Sequence, residues 1–462
     1  MARPVPAEMV AAATALVEEL ADWCVRGRDQ TLAAHEEAVL AAVRRVLPKL
    51  LGAVVGASTS GLEARRAAEP AACPQCGRVA TPRRGGRQRW VATTCGDLGV
   101  VRPWYHCADC ERGWSVLETV LGVRERARVS EALRGWLVLL GTTSVFRDGV
   151  QVLSTLSGLQ GGAETVRRHT EQAGAKLRQA EDAQVAQVER TREPAEVVQA
   201  TPGVLVAEVD GAMVRFRDGW HEVKLGLVAG WEGDELHEPS YVAARESAER
   251  FGTRVAAEAA RRGALEVERW HGGVTGRGLA VLRPVEVLGD GAAWIWAVAD
   301  EHFAERIEVV DAYHAGQHLH AAAQALYGEG PAARAWAHAR QAELLSQGVG
   351  PVLRALEVAR APSVEAAEVL RRERGYFRHN AERMDYPTLR LEGLPIGSGP
   401  IESAADHLVQ RRMKRAGMRW SDPGGDALLA LRARLRSGRS LLPAPAQPGP
   451  HTRQQPPPAR VA

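Results

Sequence analysis

A multidomain chain that combines helical and β-rich parts is predicted by three observations. Apolar residues recur at helical spacing from Ala11 to Leu51, and residues 315–393, rich in Ala, Arg and Leu, also read as helix. Five of the six cysteines fall between Cys73 and Cys110. Strand and helix patterns alternate from 204 to 314. With 462 residues, 45% hydrophobic and 25% charged, the chain can bury several ordinary cores. Its 59 basic and 56 acidic residues leave a charge of +3, so bulk charge alone demands no nucleic-acid partner. Only Lys49, Lys176, Lys224 and Lys414 among the basic residues are lysines, which reads first as coding bias. No apolar run approaches the roughly 18 residues of a membrane span. Glu8, Glu18 and Glu19 interrupt the N-terminal apolar stretch, so no secretory leader is expected. A cytoplasmic setting follows, and cysteines there point to a metal before a disulfide framework.

In chain order, residues 1–68 form an N-terminal helical region, with amphipathic spacing from Ala11 to Leu51 that suits a helical domain or an assembly surface. Residues 69–125 hold two CxxC pairs, Cys73-Pro74-Gln75-Cys76-Gly77 and Cys107-Ala108-Asp109-Cys110. Thiolates two residues apart on a tight turn can face one tetrahedral zinc, and two such knuckles fill its four positions. Gly77 suits the left-handed turn of the first knuckle. Trp90–Thr93 and Val100–Tyr105 read as the strands of this zinc ribbon, with a redox pair or unrelated thiols as the other reading. Cys95 and His106 are read as a buried thiol and a strand-end histidine. Arg83, Arg84, Arg87 and Arg89 are expected on the loop before the first strand, either tracking a phosphate backbone or simply solvated.

Residues 126–195 are expected to hold helices at Glu131–Leu140, Asp148–Ser157 and Ala163–Ala173, with a turn at 158–162. Helix, glycine turn, helix is the helix-turn-helix pattern, in which Thr165, Arg167, Arg168 and His169 would reach DNA; a plain helical hairpin is the alternative.

From 196 to 314 the apolar strand Val204–Val209 runs into Asp210. A hairpin turn at Asp218-Gly219 leads back through Val223–Ala229, and a third strand lies near Tyr241–Ala244. Helix Phe251–Arg262, strand Pro284–Gly289 ending at Asp290, helix Trp294–Phe303 and a strand from Arg306 to His314 follow. Three strands, helix, strand, helix, strand is the order of a ribonuclease-H-like sheet, whose first and fourth strands are neighbours. Asp210 and Asp290 would then repel each other unless a cation lay between them. Mg²⁺ suits a few carboxylates plus substrate phosphate oxygens. After the helical insertion 315–393, the Gly-rich turn Leu394–Pro400 in 394–437 introduces Glu402 as the third carboxylate. It opens a helix through Gly417, with Asp406 on the same face and Arg411, Arg412, Lys414 and Arg415 beyond, where Arg412, Lys414 and Arg415 would face DNA. Asp311 is an alternative to Asp290 as a metal ligand, with His314 a neighbour. The tail, residues 438–462, is expected to be disordered, having seven prolines in its last 20 residues.

These motifs recur together. The two knuckles, Glu208-Val209-Asp210-Gly211, Gly289–Trp296 and Val310-Asp311-Ala312-Tyr313-His314 come in that order. Tyr376–Asn380, Arg383-Met384, Ile396–Ser403 and Arg412–Trp420 follow. In this the chain resembles the ISKra-type insertion-sequence transposases of the DDE superfamily over about residues 70–437. The resemblance implies a ribonuclease-H-like catalytic domain with a helical insertion. It also implies Mg²⁺- or Mn²⁺-dependent cleavage of inverted-repeat ends and joining of the 3′-hydroxyl to target DNA. Asp210, Asp290 and Glu402 would be the catalytic, metal-binding triad and Asp311 with His314 an auxiliary pair. Double-stranded DNA and a second copy of the chain are the implied partners. The chain departs from the pattern at Ala404-Ala405-Asp406-His407, where a lysine is expected in relatives. The rival readings are a transposase-derived DNA-binding regulator without catalysis and a nuclease of the same fold.

Overall fold

The computed structural model describes residues 5–57, 70–80, 82–115, 121, 123, 127–191, 201, 203–268, 279–282, 285–303 and 306–442. The tail from Pro443 lies outside them. The chain is a mixed α/β protein that divides into two compact units, one running to His169 and taking in Leu442, the other spanning Thr170–Leu441.

In the first unit, α1 (Ala7–Arg26) and α2 (Leu32–Ala57) follow the predicted apolar spacing. Trp23 Nε1 donates to His35 Nδ1 at 3.0 Å between them. The strands β1 (Ala71–Ala72) and β2 (Val79–Ala80) close the first knuckle. Then β3 (Pro82–Thr93), β4 (Gly96–His106) and β5 (Gly113–Trp114) form an antiparallel sheet. Arg83, Arg84, Arg87 and Arg89 therefore stand on a strand, not on the loop expected for them: the hairpin pairing runs past Trp90 to Pro82, with an irregularity between Arg83 and Arg87. Ser130 caps α3 (Glu131–Thr143) by accepting the N–H of Leu133. Next come α4 (Phe146–Ser157), a left-handed Gly158, and α5 (Ala163–Thr191), whose residues from Thr170 on count with the second unit. That last helix continues well beyond the predicted Ala173. Leu133, Leu137, Leu153 and Val166 form the core under these three helices.

The second unit is built on a five-stranded sheet of order β12-β11-β6-β7-β8 among the described residues. β6 (Val204–Phe216), β7 (Gly219–Glu232) and β8 (Glu235–Ala244) are an antiparallel meander. After α6 (Ala248–Arg261) and a short hairpin of β9 (Leu265–Glu268) and β10 (Leu279–Leu282), β11 (Val285–Gly289) pairs parallel to β6. α7 (Ala293–His302) then crosses to β12 (Arg306–Val310), parallel to β11. Parallel neighbours require such crossovers, which is why helices separate these strands in sequence. The first and fourth strands of the predicted order thus do lie side by side, whereas the β9–β10 hairpin was not anticipated.

Leu205, Ala207, Val209, Val285 and Val287 project from one sheet face onto Phe251, Val255, Ile295 and Ala299 of α6 and α7, the centre of the largest core. The segment after β12 is helical as expected: α8 (Ala312–Tyr327), α9 (Pro331–Gln347), α10 (Val349–Val358), α11 (Val364–His379) and α12 (Tyr386–Leu391). β12 stops at Val310, because Asp311 caps α8 and His314 lies in that helix's first turn; neither belongs to the strand. α13 (Gly399–Ala405) passes into a π-helical turn at Asp406–Gln410 and ends at Met413, short of the predicted Gly417. α14 (Asp422–Arg436), counted after that helix, completes the unit. No helix among the described residues is long and apolar enough to cross a membrane.

Candidate functional site

Asp210, Asp290 and Asp311 are brought to one level of the sheet, where β11 and β12 end and β6 runs on, for a reason written in its register. β11 pairs Leu288 with Glu208, and two residues further along each chain come Asp290 and Asp210. β12 pairs Val310 with Gly289, and the next residue is Asp311.

Asp210 is partly exposed and one of its oxygens accepts the N–H of Gly211 at 2.7 Å. Burial raises its pKa, and the charges of Asp290 and Glu402 push it further in the same direction. Asp290 uses one oxygen to accept the N–H of Ala292 at 2.8 Å. Among the described residues the second oxygen of each aspartate accepts no hydrogen bond.

Asp311 is different. It is 1% exposed, its Oδ1 takes the backbone N–H of His314 at 2.6 Å and faces Nδ1 of the same residue at 3.2 Å. Its Oδ2 accepts the N–H of Ser398. Burial pushes its pKa up, but these hydrogen bonds outweigh it and hold the carboxyl below its ordinary value. The Asp311 hydrogen bond in turn raises the pKa of His314, helped by Asp290 and Glu402. Glu402 Oε1 lies 3.8 Å from His314 Nδ1. Asp311, His314 and Glu402 offer ligand atoms all within 4.8 Å of one another, the spacing of a metal set; among the described residues Asp210 and Asp290 do not belong to such a group.

Glu402 reaches the sheet because two buried acids grip the start of its helix. Asp311 holds the N–H of Ser398, and Glu208 Oε2 accepts that of Ile401 at 2.9 Å. Unsatisfied N–H groups make a helix start a natural partner for an acid. Glu208 was not singled out from sequence as a site residue. The available signal was a carboxylate in an otherwise apolar strand, two residues before Asp210 and so on the same face. Its pKa is pushed up to about 8, first by burial and then by Asp311 and Glu402. Glu286, on β11, is fully buried and neither of its oxygens finds a partner among the described residues. Its pKa is pushed up to about 9 by burial and by Glu208.

The basic residues after Glu402 separate into two groups. Lys414 and Arg415 are exposed. Arg412, expected to face DNA, is instead 2% exposed, its guanidinium 5.1 Å from the Trp420 ring centre and its Nη1 near the Met418 sulfur. It belongs to the packing beneath the helix. Asp406 is engaged by Arg411 at 2.6 Å, away from any role beside Glu402. On α5, Thr165 is half-buried, Arg168 is exposed, and Arg167 closes a two-pronged bond onto Glu164 at 2.8 and 2.6 Å.

In the first unit Cys73, Cys76, Cys107 and Cys110 bring their four sulfurs within 4.8 Å of one another, a set that could hold zinc. Cys95 and His106 are not part of it. Gly77 takes the left-handed φ of +75° predicted for the knuckle, and Glu111 takes φ +50° at the matching place in the second. Each knuckle closes alike, Cys73 N–H donating to Arg78 O at 2.8 Å and Cys107 N–H to Arg112 O at 2.9 Å. Arg78 joins the knuckles through Asp109 at 2.6 Å. Hydrogen bonds from the knuckle backbone lower the Cys73 pKa, whereas the Cys76 contact and burial raise that of Cys110.

A family model described as an uncharacterised protein family, UPF0236, matches residues 83–442. No curated protein matches the chain.

Proposed function

We propose that this chain, which belongs to the uncharacterised protein family UPF0236, is a DNA transposase of the DDE type whose ribonuclease-H-like domain cuts the ends of a mobile element and joins them to target DNA. One observation carries the reading. Asp290 follows the end of β11 and Asp210 stands beside it midway along β6, each with one oxygen uncommitted, and a helix whose start is fastened to the sheet brings Glu402 near enough for its charge to act on Asp210. Crowded acids of this kind fit divalent cations, since a cation relieves the repulsion that raises Asp210. Asp210, Asp290 and Glu402 would hold Mg²⁺ or Mn²⁺, which supplies activation of water, and later of a 3′-hydroxyl, together with charge stabilisation on the leaving oxygen. Asp290 is favoured over Asp311 as the second ligand, because both oxygens of Asp311 already serve the backbone around it.

The residues themselves do the rest. Glu208 and Asp311 keep the Glu402 helix in place against the strand ends. His314, held by Asp311 and facing Glu402, can carry a proton beside the reacting phosphate. Exposed Lys414 and Arg415 can meet the DNA backbone, as can Arg168 if α4 and α5 act as a helix-turn-helix. The four cysteines would hold a structural zinc in a ribbon that stiffens the DNA-binding part. The chain would work as a homo-oligomer, because two element ends must be held together.

Labelled DNA from both flanks of the gene, incubated with the protein and Mg²⁺ or Mn²⁺, tests the reading. Metal-dependent cutting at repeat ends that Asp290→Asn abolishes is the expected result. Cutting that survives Asp290→Asn but not Asp311→Asn transfers the ligand role to Asp311. Specific binding without cutting under either metal replaces the enzyme with a DNA-binding regulator, and cutting without joining replaces it with a nuclease.

A further inference from the structure

We infer that Tyr376 is a positioning residue for Asp290, through which the helical insertion sets the second acidic ligand; the inference rests on the metal-dependent reading above. Asp290 sits on the short turn between β11 and α7. Its side chain is tied back to Ala292 N–H, and its backbone carbonyl accepts the Tyr376 hydroxyl at 3.0 Å. Tyr376 comes from α11, 86 residues away in sequence. The next residue, Gly291, has φ +98°, and a Cβ there would meet the Tyr376 ring at 2.8 Å, its hydroxyl at 3.2 Å and Asn380 Nδ2 at 3.2 Å. The ring thus occupies the space a side chain would need, and the turn is held both by the hydroxyl and by the surface of the ring.

Tyr376 is itself braced. The His318 ring of α8 stacks on it with centroids 3.6 Å apart and planes 19° from parallel. His318 Nδ1 is 2.5 Å from Oε2 of Glu373, a residue 1% exposed whose other oxygen receives Arg372. Asn380 Nδ2 donates to the Tyr376 carbonyl at 3.1 Å. A second tyrosine repeats the arrangement one strand over, the buried Tyr386 donating its hydroxyl to Val310 O at 2.9 Å, next to Asp311. The insertion therefore reaches the last carbonyls of the acid-bearing strands rather than the acids themselves. Such backbone anchoring is what keeps a ligand set pre-organised.

Mn²⁺ binding by the full chain, read without DNA from the loss of the free Mn²⁺ paramagnetic resonance signal, tests this. Wild type, Asp290→Asn, Tyr376→Phe and His318→Leu are compared, with Arg378→Gln as a control on the exposed pair with Glu357. Wild type is expected to bind at a site that Asp290→Asn removes. Tyr376→Phe keeps the ring and should weaken that binding roughly three- to tenfold, the scale of one lost hydrogen bond. In cleavage assays the half-saturating Mg²⁺ concentration should rise by a similar factor, with the rate at saturating metal largely recovered. His318→Leu keeps the hydroxyl but removes the stacked ring and should also weaken binding, covering the case in which Tyr376→Phe melts early. Wild-type affinity in both variants overturns the inference and leaves the metal site standing. Mn²⁺ binding that is absent from wild type, or indifferent to Asp290→Asn, overturns the metal reading and the inference with it.

Discussion

Glu286 places a carboxyl in the middle of β11 with no hydrogen-bond partner among the described residues. Burying an unpaired polar group is costly, and ionising it there costs more, so the group keeps its proton up to about pH 9. An unfolded glutamate ionises near pH 4.5, so between these values the folded chain holds one proton more. Its contribution is therefore whole below pH 4.5 and is lost as pH rises toward 9. Thermal melting of the wild type should drop over that range, and Glu286→Leu should raise the melting temperature more at pH 9 than at pH 5. Equal gains at both ends would mean that the carboxyl is neutral in neither state alone. Arg412 offers a second comparison. Because it packs on Trp420, Arg412→Ala should destabilise the fold by about 2–4 kcal/mol in denaturant titrations. Lys414→Ala should leave stability within about 0.5 kcal/mol and, if the residue meets DNA, flatten the salt dependence of binding.

At the scale of elements, two contacts depend on glycine for opposite reasons. Gly291 needs both its left-handed φ and its missing side chain, since the Tyr376 ring fills the space. Gly174 of α5 has an ordinary helical backbone, but a Cβ there would come 2.2 Å from the carbonyl oxygen of Ala427 on α14. Backbone cannot move aside as a flexible side chain can. Gly174→Ala should force these helices apart and cost about 1–3 kcal/mol, measured by chemical denaturation. If Asp290 is a metal ligand as proposed, Gly291→Ala should lower Mn²⁺ affinity in addition to stability, because the displaced turn carries Asp290. The Glu402 helix shows what local reading leaves out at this scale. Its glycine-rich start was legible in Gly397-Ser398-Gly399-Pro400, yet the grip of Glu208 and Asp311 on Ile401 and Ser398 was not. Those partners are separated by 193 and 87 residues, and periodicity reports only on neighbours within a turn or two.

For the whole molecule, each of the two compact units carries a core of its own, and the cysteine cluster belongs to the first. If zinc occupies that cluster, a strong chelator or Cys110→Ser should lower the transition of the first unit in calorimetry and leave that of Thr170–Leu441 nearly unchanged. A chain whose metal content and melting are both indifferent to Cys110→Ser would remove zinc from the account. Most of the order of elements is legible in the sequence, the β9–β10 hairpin and α14 excepted. Helical spacing, the Asp218-Gly219 turn, paired CxxC knuckles and acids closing apolar strands are all short-range patterns, and each has a direct physical cause in backbone geometry or ligand spacing. From that order the meander and the pairing of β6 with β11 were expected, whereas the place of β12 beside β11 was not. Element ends were less legible: β3 ran on past its apolar core, and β12 stopped early when Asp311 found a helix to cap. What only the tertiary structure decided is which polar groups are already in use. Asp290 and Asp311 look alike as acids at strand ends, but one keeps an oxygen uncommitted and the other spends both on backbone N–H groups. Arg412 and Lys414 look alike as basic residues on one helix, but one is buried on Trp420 and the other is exposed. Residue type and spacing set what each group can do. Whether it is free to do it depends on partners brought in from distant parts of the chain, and those are chosen by packing.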